Sequence, residues 1–66
     1  MYVIANVQDG TLFRMLFNNV VYTDFSISKA SIFNNLDLAK KQCEVCNELG
    51  DDNFVVKQIV LEDPKQ

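Results

Sequence analysis

One spacing in this chain joins two soft, nucleophilic side chains: Cys43 and Cys46, in the run Cys43-Glu44-Val45-Cys46. A Cys-x2-Cys pair carries three chemical readings. It is a common half of a tetrahedral zinc site. It is the spacing of thioredoxin-type redox pairs. It is also what a helix shows when it buries two small apolar side chains, since free cysteine is among the most buried residue types. A zinc site needs two further ligands. The chain has no histidine and only these two cysteines, so oxygen atoms of Glu48, Asp51 or Asp52, or a second cysteine pair from another copy of the chain, would have to complete it. A thioredoxin-type pair sits at a helix N-terminus, which lowers the thiol pKa. Here the pair falls in the second half of the predicted helix, where the dipole opposes thiolate. The buried-pair reading therefore leads. Cys43 and Cys46 stand as the metal-ligand candidates, and zinc as the only cofactor they imply.

Nothing else in the chain is spaced for acid–base or covalent chemistry. The absence of histidine removes the commonest general base and proton switch. Two glycines leave no glycine-rich phosphate loop. Asp51-Asp52 follows Gly50 and reads as a solvated turn. The expectation is a protein that is not an enzyme.

Nine acids against six bases give a net charge of −3. Direct nucleic-acid binding is not expected, because a phosphate-binding surface is basic and the one basic cluster, Lys40-Lys41, lies on a helix surface. The acids are too evenly spread to copy the charge of DNA. No apolar run approaches the ~18 residues of a membrane span, and no basic segment followed by a long apolar run marks a leader. No membrane partner and a cytosolic setting are therefore expected, with the thiols reduced unless a metal holds them. A chain of 66 residues is read as one small domain, 1–66. Such a domain buries only about 60% of its unfolded surface and gains from a metal or a partner.

Tyr2 to Gln8 reads as a first strand, rich in β-branched and aromatic residues. Asp9-Gly10 predicts a tight hairpin turn, Thr11 to Phe17 a returning strand, and Asn18-Asn19 a second turn, since Asn tolerates the left-handed region. Val20 to Phe25 reads as a third strand. Ser26 to Phe33 reads as a loop with a short strand at Ala30 to Phe33. Asn34 or Asn35 then caps a helix over Leu36 to Leu49. Its apolar arc holds Leu36, Leu38, Ala39, Cys43, Val45, Cys46 and Leu49, and its polar arc holds Asp37, Lys40, Lys41, Glu44, Asn47 and Glu48. Gly50 is expected as a C-terminal cap, and Asn53 to Glu62 as the last strand, ended by Pro64. The order β-β-β-α-β predicts an α+β fold: a four-stranded antiparallel sheet with one helix packed on one face.

A sheet covered on one face should alternate apolar and polar residues. These strands do not. Strand two offers Phe13, Met15 and Phe17 on one side and Leu12 and Leu16 on the other. The first offers Val3, Ala5 and Val7 against Tyr2 and Ile4. The last offers Phe54, Val56 and Val60 against Val55, Ile59 and Leu61. One helix cannot bury both sets. Either twist and the 26–33 loop cover the second face, or it is an apolar patch for self-association or for gripping another protein. Tyr2, Leu12, Leu16 and Ile59 are its candidates. Asp51 and Asp52, with Asp9, Asp24 and Glu44, are candidates for an acidic rim.

The run Ala30-Ser31-Ile32-Phe33-Asn34-Asn35-Leu36, followed by Ala39-Lys40-Lys41, Glu48-Leu49-Gly50 and Val55-Val56, resembles small proteins encoded by phages and prophages of Gram-positive bacteria. That resemblance implies a protein that binds and inhibits a host protein in the host-cell cytosol, most concretely an anti-CRISPR inhibitor of a CRISPR effector nuclease. It carries over no functional residue, and the two cysteines lie outside its pattern. Homodimerisation is a further partner expectation. A zinc-stabilised structural or assembly module, and a nucleic-acid-binding regulatory accessory protein, are the alternatives.

Overall fold

The computed structural model describes residues 1–50 and 52–60. In chain order it contains β1 (Tyr2–Asn6), β2 (Leu12–Phe17), β3 (Val20–Asp24), a 3-10 turn at Ile27–Lys29, α1 (Leu36–Leu49) and β4 (Phe54–Gln58). The strands form one antiparallel sheet in the order β3-β2-β1-β4. After α1 the chain returns along the free side of β1, setting Ile4 opposite Val56 and Asn6 opposite Phe54. This is the α+β architecture expected from the sequence. The far end of the last-strand reading, residues 61–62, lies outside the described residues.

The two hairpin connections differ. Asn18 and Asn19 both take positive φ, 50° and 61°, which gives the two-residue type I′ turn that suits strand twist. The tight Asp9-Gly10 turn does not form. The Asn6 N–H donates to the Thr11 carbonyl (2.7 Å) and the Gly10 N–H to the Asn6 carbonyl (2.9 Å), so the loop is wider, and Gly10 alone takes positive φ, 77°. Asp9 has a different role: its Oδ1 accepts from the Thr11 N–H (2.9 Å) and hydroxyl (2.6 Å).

Helix α1 begins and ends where its apolar period predicts. Asn35 is the cap, its Oδ1 accepting from the Asp37 and Leu38 N–H groups at 2.8 and 3.3 Å. Gly50 ends the helix at φ −95°, so left-handed freedom is not what it supplies. Its small size is: a Cβ there would lie 3.1 Å from the Cys46 carbonyl and 3.4 Å from the Phe54 ring. The buried stripe is narrower than the apolar arc. Ala39, Cys43 and Cys46 are buried, whereas Leu36, Leu38 and Leu49 are exposed. α1 lies mainly over β1 and β4, so only the stripe facing that pair is covered. The core it closes is Ile4, Phe13, Cys43, Cys46 and Phe54, with Val21, Phe33 and Val56 packed against it.

One irregularity decides which side chains reach that core. Phe13 pairs with Thr23 and Met15 with Tyr22. Arg14 is therefore an extra residue, a β-bulge, and the alternation of β2 changes sides across it. Phe13 and Leu16 face α1, while Leu12, Met15 and Phe17 face away. The expected grouping of Phe13 with Met15 and Phe17 is corrected on this ground. The bulge also turns β2 away from β1, which it meets at Ala5 and Leu12. The segment after the 3-10 turn fills the gap. The Ser31 N–H donates to the Phe13 carbonyl (2.9 Å), its hydroxyl donates to the Arg14 carbonyl, and Phe33 exchanges two backbone hydrogen bonds with Tyr2 (2.7 and 2.8 Å). A single bridge at Phe33 replaces the short strand expected at Ala30 to Phe33. The Phe33 ring stacks on Phe13 at 6.5 Å between centroids.

Candidate functional site

The cysteines sit under α1, against the first residue of β4. Cys46 is wholly buried and Cys43 nearly so, and both are free thiols. The Cys43 Sγ–H donates to the Phe54 carbonyl at 3.2 Å. Burial pushes both thiols above the ordinary cysteine value. The Asn47 amide partly offsets that at Cys43, and the Gln42 amide does so at Cys46. The Cys46 sulfur is a weak acceptor, and the buried Gln42 Nε2 has no hydrogen-bond partner of good geometry. A protonated thiol that is already donating is a poor nucleophile, and zinc must displace its proton to bind. Among the described residues no group of three or more Cys, Asp or Glu is placed to hold a metal ion.

Beside the thiols lies a device that sequence reading passes over. Asn47, placed on the polar arc, turns its amide against the outer rim of β4. Its Oδ1 accepts from the Phe54 N–H at 2.7 Å and its Nδ2 donates to the Phe54 carbonyl at 3.1 Å. One side chain thus completes both hydrogen bonds that a further strand would have made. An Asn on a solvated helix face carries no local signal of this, because its partner arrives seven residues later.

The face of the sheet away from α1 is open. The registers Asp24↔Leu12, Leu12↔Ala5 and Ala5↔Val55 run one row across all four strands. Ala5 forms the floor of a depression of about 360 Å³ lined by Val7, Leu12, Val55 and Lys57, among others. Beyond the bulge the surface continues as two cross-strand pairs, Met15 with Tyr22 and Phe17 with Val20. All four of these side chains are exposed. On β1, Val3 and Ala5 also point to this side, yet both are buried.

The acids separate from this surface along the strands. The β1–β2 loop with Asp9, the end of β3 with Asp24, and the start of β4 with Asp52 all lie at the Asn6 end of the sheet. The Asn18-Asn19 turn lies at the other end. The Thr11 hydroxyl and N–H hold the Asp9 carboxyl below the usual carboxylate value. One Asp52 oxygen accepts from the Asn6 amide at 2.7 Å. Asp51 lies outside the described residues, and Glu44 is on the exposed side of α1.

The four apolar candidates do not share a face. Leu12 and Ile59 lie on the open side. Tyr2 and Leu16 lie on the side of α1, Leu16 because of the bulge. Sequence reading missed Met15, Phe17, Val20 and Tyr22 as members of the open surface. The Asn18-Asn19 turn could have paired Phe17 with Val20, but nothing in the residue types marks Arg14 as the extra one. No described helix is long and apolar enough to cross a membrane. The chain matches no family model, no curated protein and no solved structure.

Proposed function

We propose that this chain is a non-enzymatic binding protein that inhibits a host protein by covering part of its surface with the open sheet face. The observation that supports the reading is the run of exposed apolar side chains Met15, Phe17, Val20 and Tyr22, continuous with Leu12 and Val55. Apolar patches of this kind on a small protein mark interaction sites. Two exposed aromatic rings, Phe17 and Tyr22, are suited to anchor such a contact. The acids at the Asn6 end add a second element: they would sit over a basic channel while the apolar arm grips beside it. A CRISPR effector nuclease is the specific target proposed, from the resemblance to phage proteins together with this pairing of acidic end and apolar face.

The test is a DNA-cleavage assay with purified CRISPR effector nucleases. Stoichiometric inhibition by the parent is expected, with loss of inhibition in a folded Leu12→Lys or Phe17→Lys variant. Absence of inhibition across the panel removes the CRISPR reading. Inhibition that survives both substitutions removes the open face as the docking surface. Charge reversal of Asp9 and Asp52 across a salt series then tests the acidic end alone.

A further inference from the structure

Strand β3 is an edge of the sheet, and its outer rim is open. The type I′ turn makes Phe17 and Val20 the closing hydrogen-bonded pair. Antiparallel bonding alternates from there. Tyr22 turns its N–H and C=O toward Met15, and Val21 and Thr23 turn theirs outward. No described residue hydrogen-bonds those outward groups. The strand has neither proline nor lysine, the residues that blunt an edge, and its one charge is Asp24 at its end. The Asp24 side chain lies on the open face, in register with Leu12. Its Oδ1 accepts from the Ser26 N–H at 2.8 Å, which holds the carboxyl beside the rim. Asp9 and Asp52 lie at the same end of the sheet. The opposite edge differs in both respects. Asn47 occupies the outward N–H and C=O of Phe54, and Lys57 puts a positive charge on that strand.

We propose that the β3 rim receives an extended, positively charged segment of another protein as an added antiparallel strand. Charge selects this occupant. A second copy would bring a net charge of −3 against −3 and another Asp24 to the seam. A basic strand instead meets the opposite sign at Asp24, and Lys57 disfavours it on the far edge. The register defines what the segment presents. Val21 and Thr23 each exchange an N–H and a C=O bond with the incoming residue opposite. The incoming residues opposite Asp24, Tyr22 and Val20 turn their side chains to the open face. Read along the incoming chain, a basic residue comes beside Asp24, followed at alternate places by two apolar residues beside Tyr22 and Val20, both of which are exposed. In strand addition of this kind the main-chain bonds give affinity and the alternate side chains give selectivity. The proposal rests on the reading of this chain as a protein-binding module and adds the chemistry of the partner segment. Cross-strand pairs at an exposed edge are individually weak, so the expected Kd for a short free peptide is on the order of millimolar.

The probe is the synthetic peptide acetyl-Ser-Arg-Thr-Val-Thr-Val-Ser-amide, titrated into the whole chain at low ionic strength while backbone amides are followed by NMR. Shifts centred on Val21 and Thr23, with slower amide exchange at both, are expected. The twin peptide with Glu in place of Arg should bind about fivefold more weakly. Asp24→Asn keeps an oxygen for the Ser26 N–H and should remove most of that difference. N-methylation of both peptide threonines removes the donors to the Val21 and Thr23 carbonyls and should abolish binding. No response at about ten times the expected Kd overturns the proposal. Equal binding of the two twins by the parent overturns it too, because charge then selects nothing. Shifts centred on Leu12 and Val55 assign the peptide to the open face. Exchange at Val21 and Thr23 that slows with protein concentration alone gives the rim to a second copy. Either result rejects the proposal. If Asp24→Asn loses its fold, the twins and the N-methylated peptide, all measured on the parent, decide. Peptide binding without inhibition of any nuclease removes the CRISPR reading alone, and inhibition without peptide binding removes this proposal alone.

Discussion

The two halves of the sheet spend their apolar residues in opposite ways. β1 and β4, under α1, turn Ile4, Phe54 and Val56 into the core beside Cys43 and Cys46, and even the far-side Val3 is buried. The β2–β3 arm holds Phe13 and Val21 in or against that core, and leaves Met15, Leu16, Phe17, Val20 and Tyr22 exposed. Composition does not separate the halves, since both are rich in Val, Phe and Ile or Leu. Cover does: α1 lies mainly over β1 and β4 and reaches β3 only slightly, and the bulge turns the outer part of the arm away from it. One half therefore carries stability and the other presents surface. A residue's contribution should depend on which half holds it and not on how hydrophobic it is.

The largest expected effect tests the stabilising half. Ile4→Ala removes a wholly buried side chain at the centre of the core and should cost about 2–5 kcal/mol, enough to unfold much of a chain this small. Denaturant melts read it directly. A loss below about 1 kcal/mol would mean that the core sits elsewhere. Asn47→Ala comes next. It leaves the outward N–H of Phe54 without a partner and its C=O with only the weak Cys43 thiol donor, and should cost about 1–3 kcal/mol, with faster amide exchange at Phe54. Exchange that does not change would show that the β4 rim is held by something other than Asn47.

The thiols give a pH signature of the same half. Their folded-state pKa values lie above the ordinary cysteine value through burial. At alkaline pH the unfolded chain loses these protons before the folded one does, so the folded state binds more protons there and stability falls as pH rises. Below the ordinary thiol value the contribution is complete. Urea midpoints measured across the alkaline range should decline, and Cys43→Ala with Cys46→Ala should flatten the decline. Thiol labelling should track unfolding, and metal analysis of untagged protein should find no stoichiometric zinc. Labelling of the folded protein at the rate of a free thiol, or one zinc per one or two chains, would overturn the buried-pair reading. The smallest effect belongs to the arm. Phe17→Ser should shift stability by no more than about 0.5 kcal/mol, although it removes an aromatic ring. A larger loss would show that the arm is part of the folding core and erase the contrast between the halves.

What the sequence made legible was local. The bounds of α1, its Asn35 cap, the Asn18-Asn19 turn and the burial of Cys43 and Cys46 follow from patterns within one element or its flanks. The strand count and the α+β class follow from how those elements alternate. What could not be read needed a partner from elsewhere. Asn47 has a role only because Phe54 comes back beside it. Leu38 fits the apolar arc, yet no strand lies beneath it. Asp9-Gly10 has the residue types of a tight hairpin, but the Asn6–Thr11 closure sets a wider loop and leaves Asp9 to bind Thr11. The open surface was anticipated in kind, from strands that fail to alternate, and misassigned in membership: at Leu16, Met15 and Phe17 because of the bulge, and at Tyr2 because it shares the side of the core residue Ile4.

That bulge makes the exposed surface depend on pairing with β3 more than on the count of residues. Arg14 is the residue that β3 leaves unpaired, so Phe13 and Met15 face opposite sides across it. Losing one codon there would restore strict alternation along β2 and leave Met15, Leu16 and Phe17 on the sides they now hold. The arm would keep its contact surface and lose the local bend and added twist that a bulge gives a strand. A single deletion at this position would therefore redirect the arm without changing the side chains it presents.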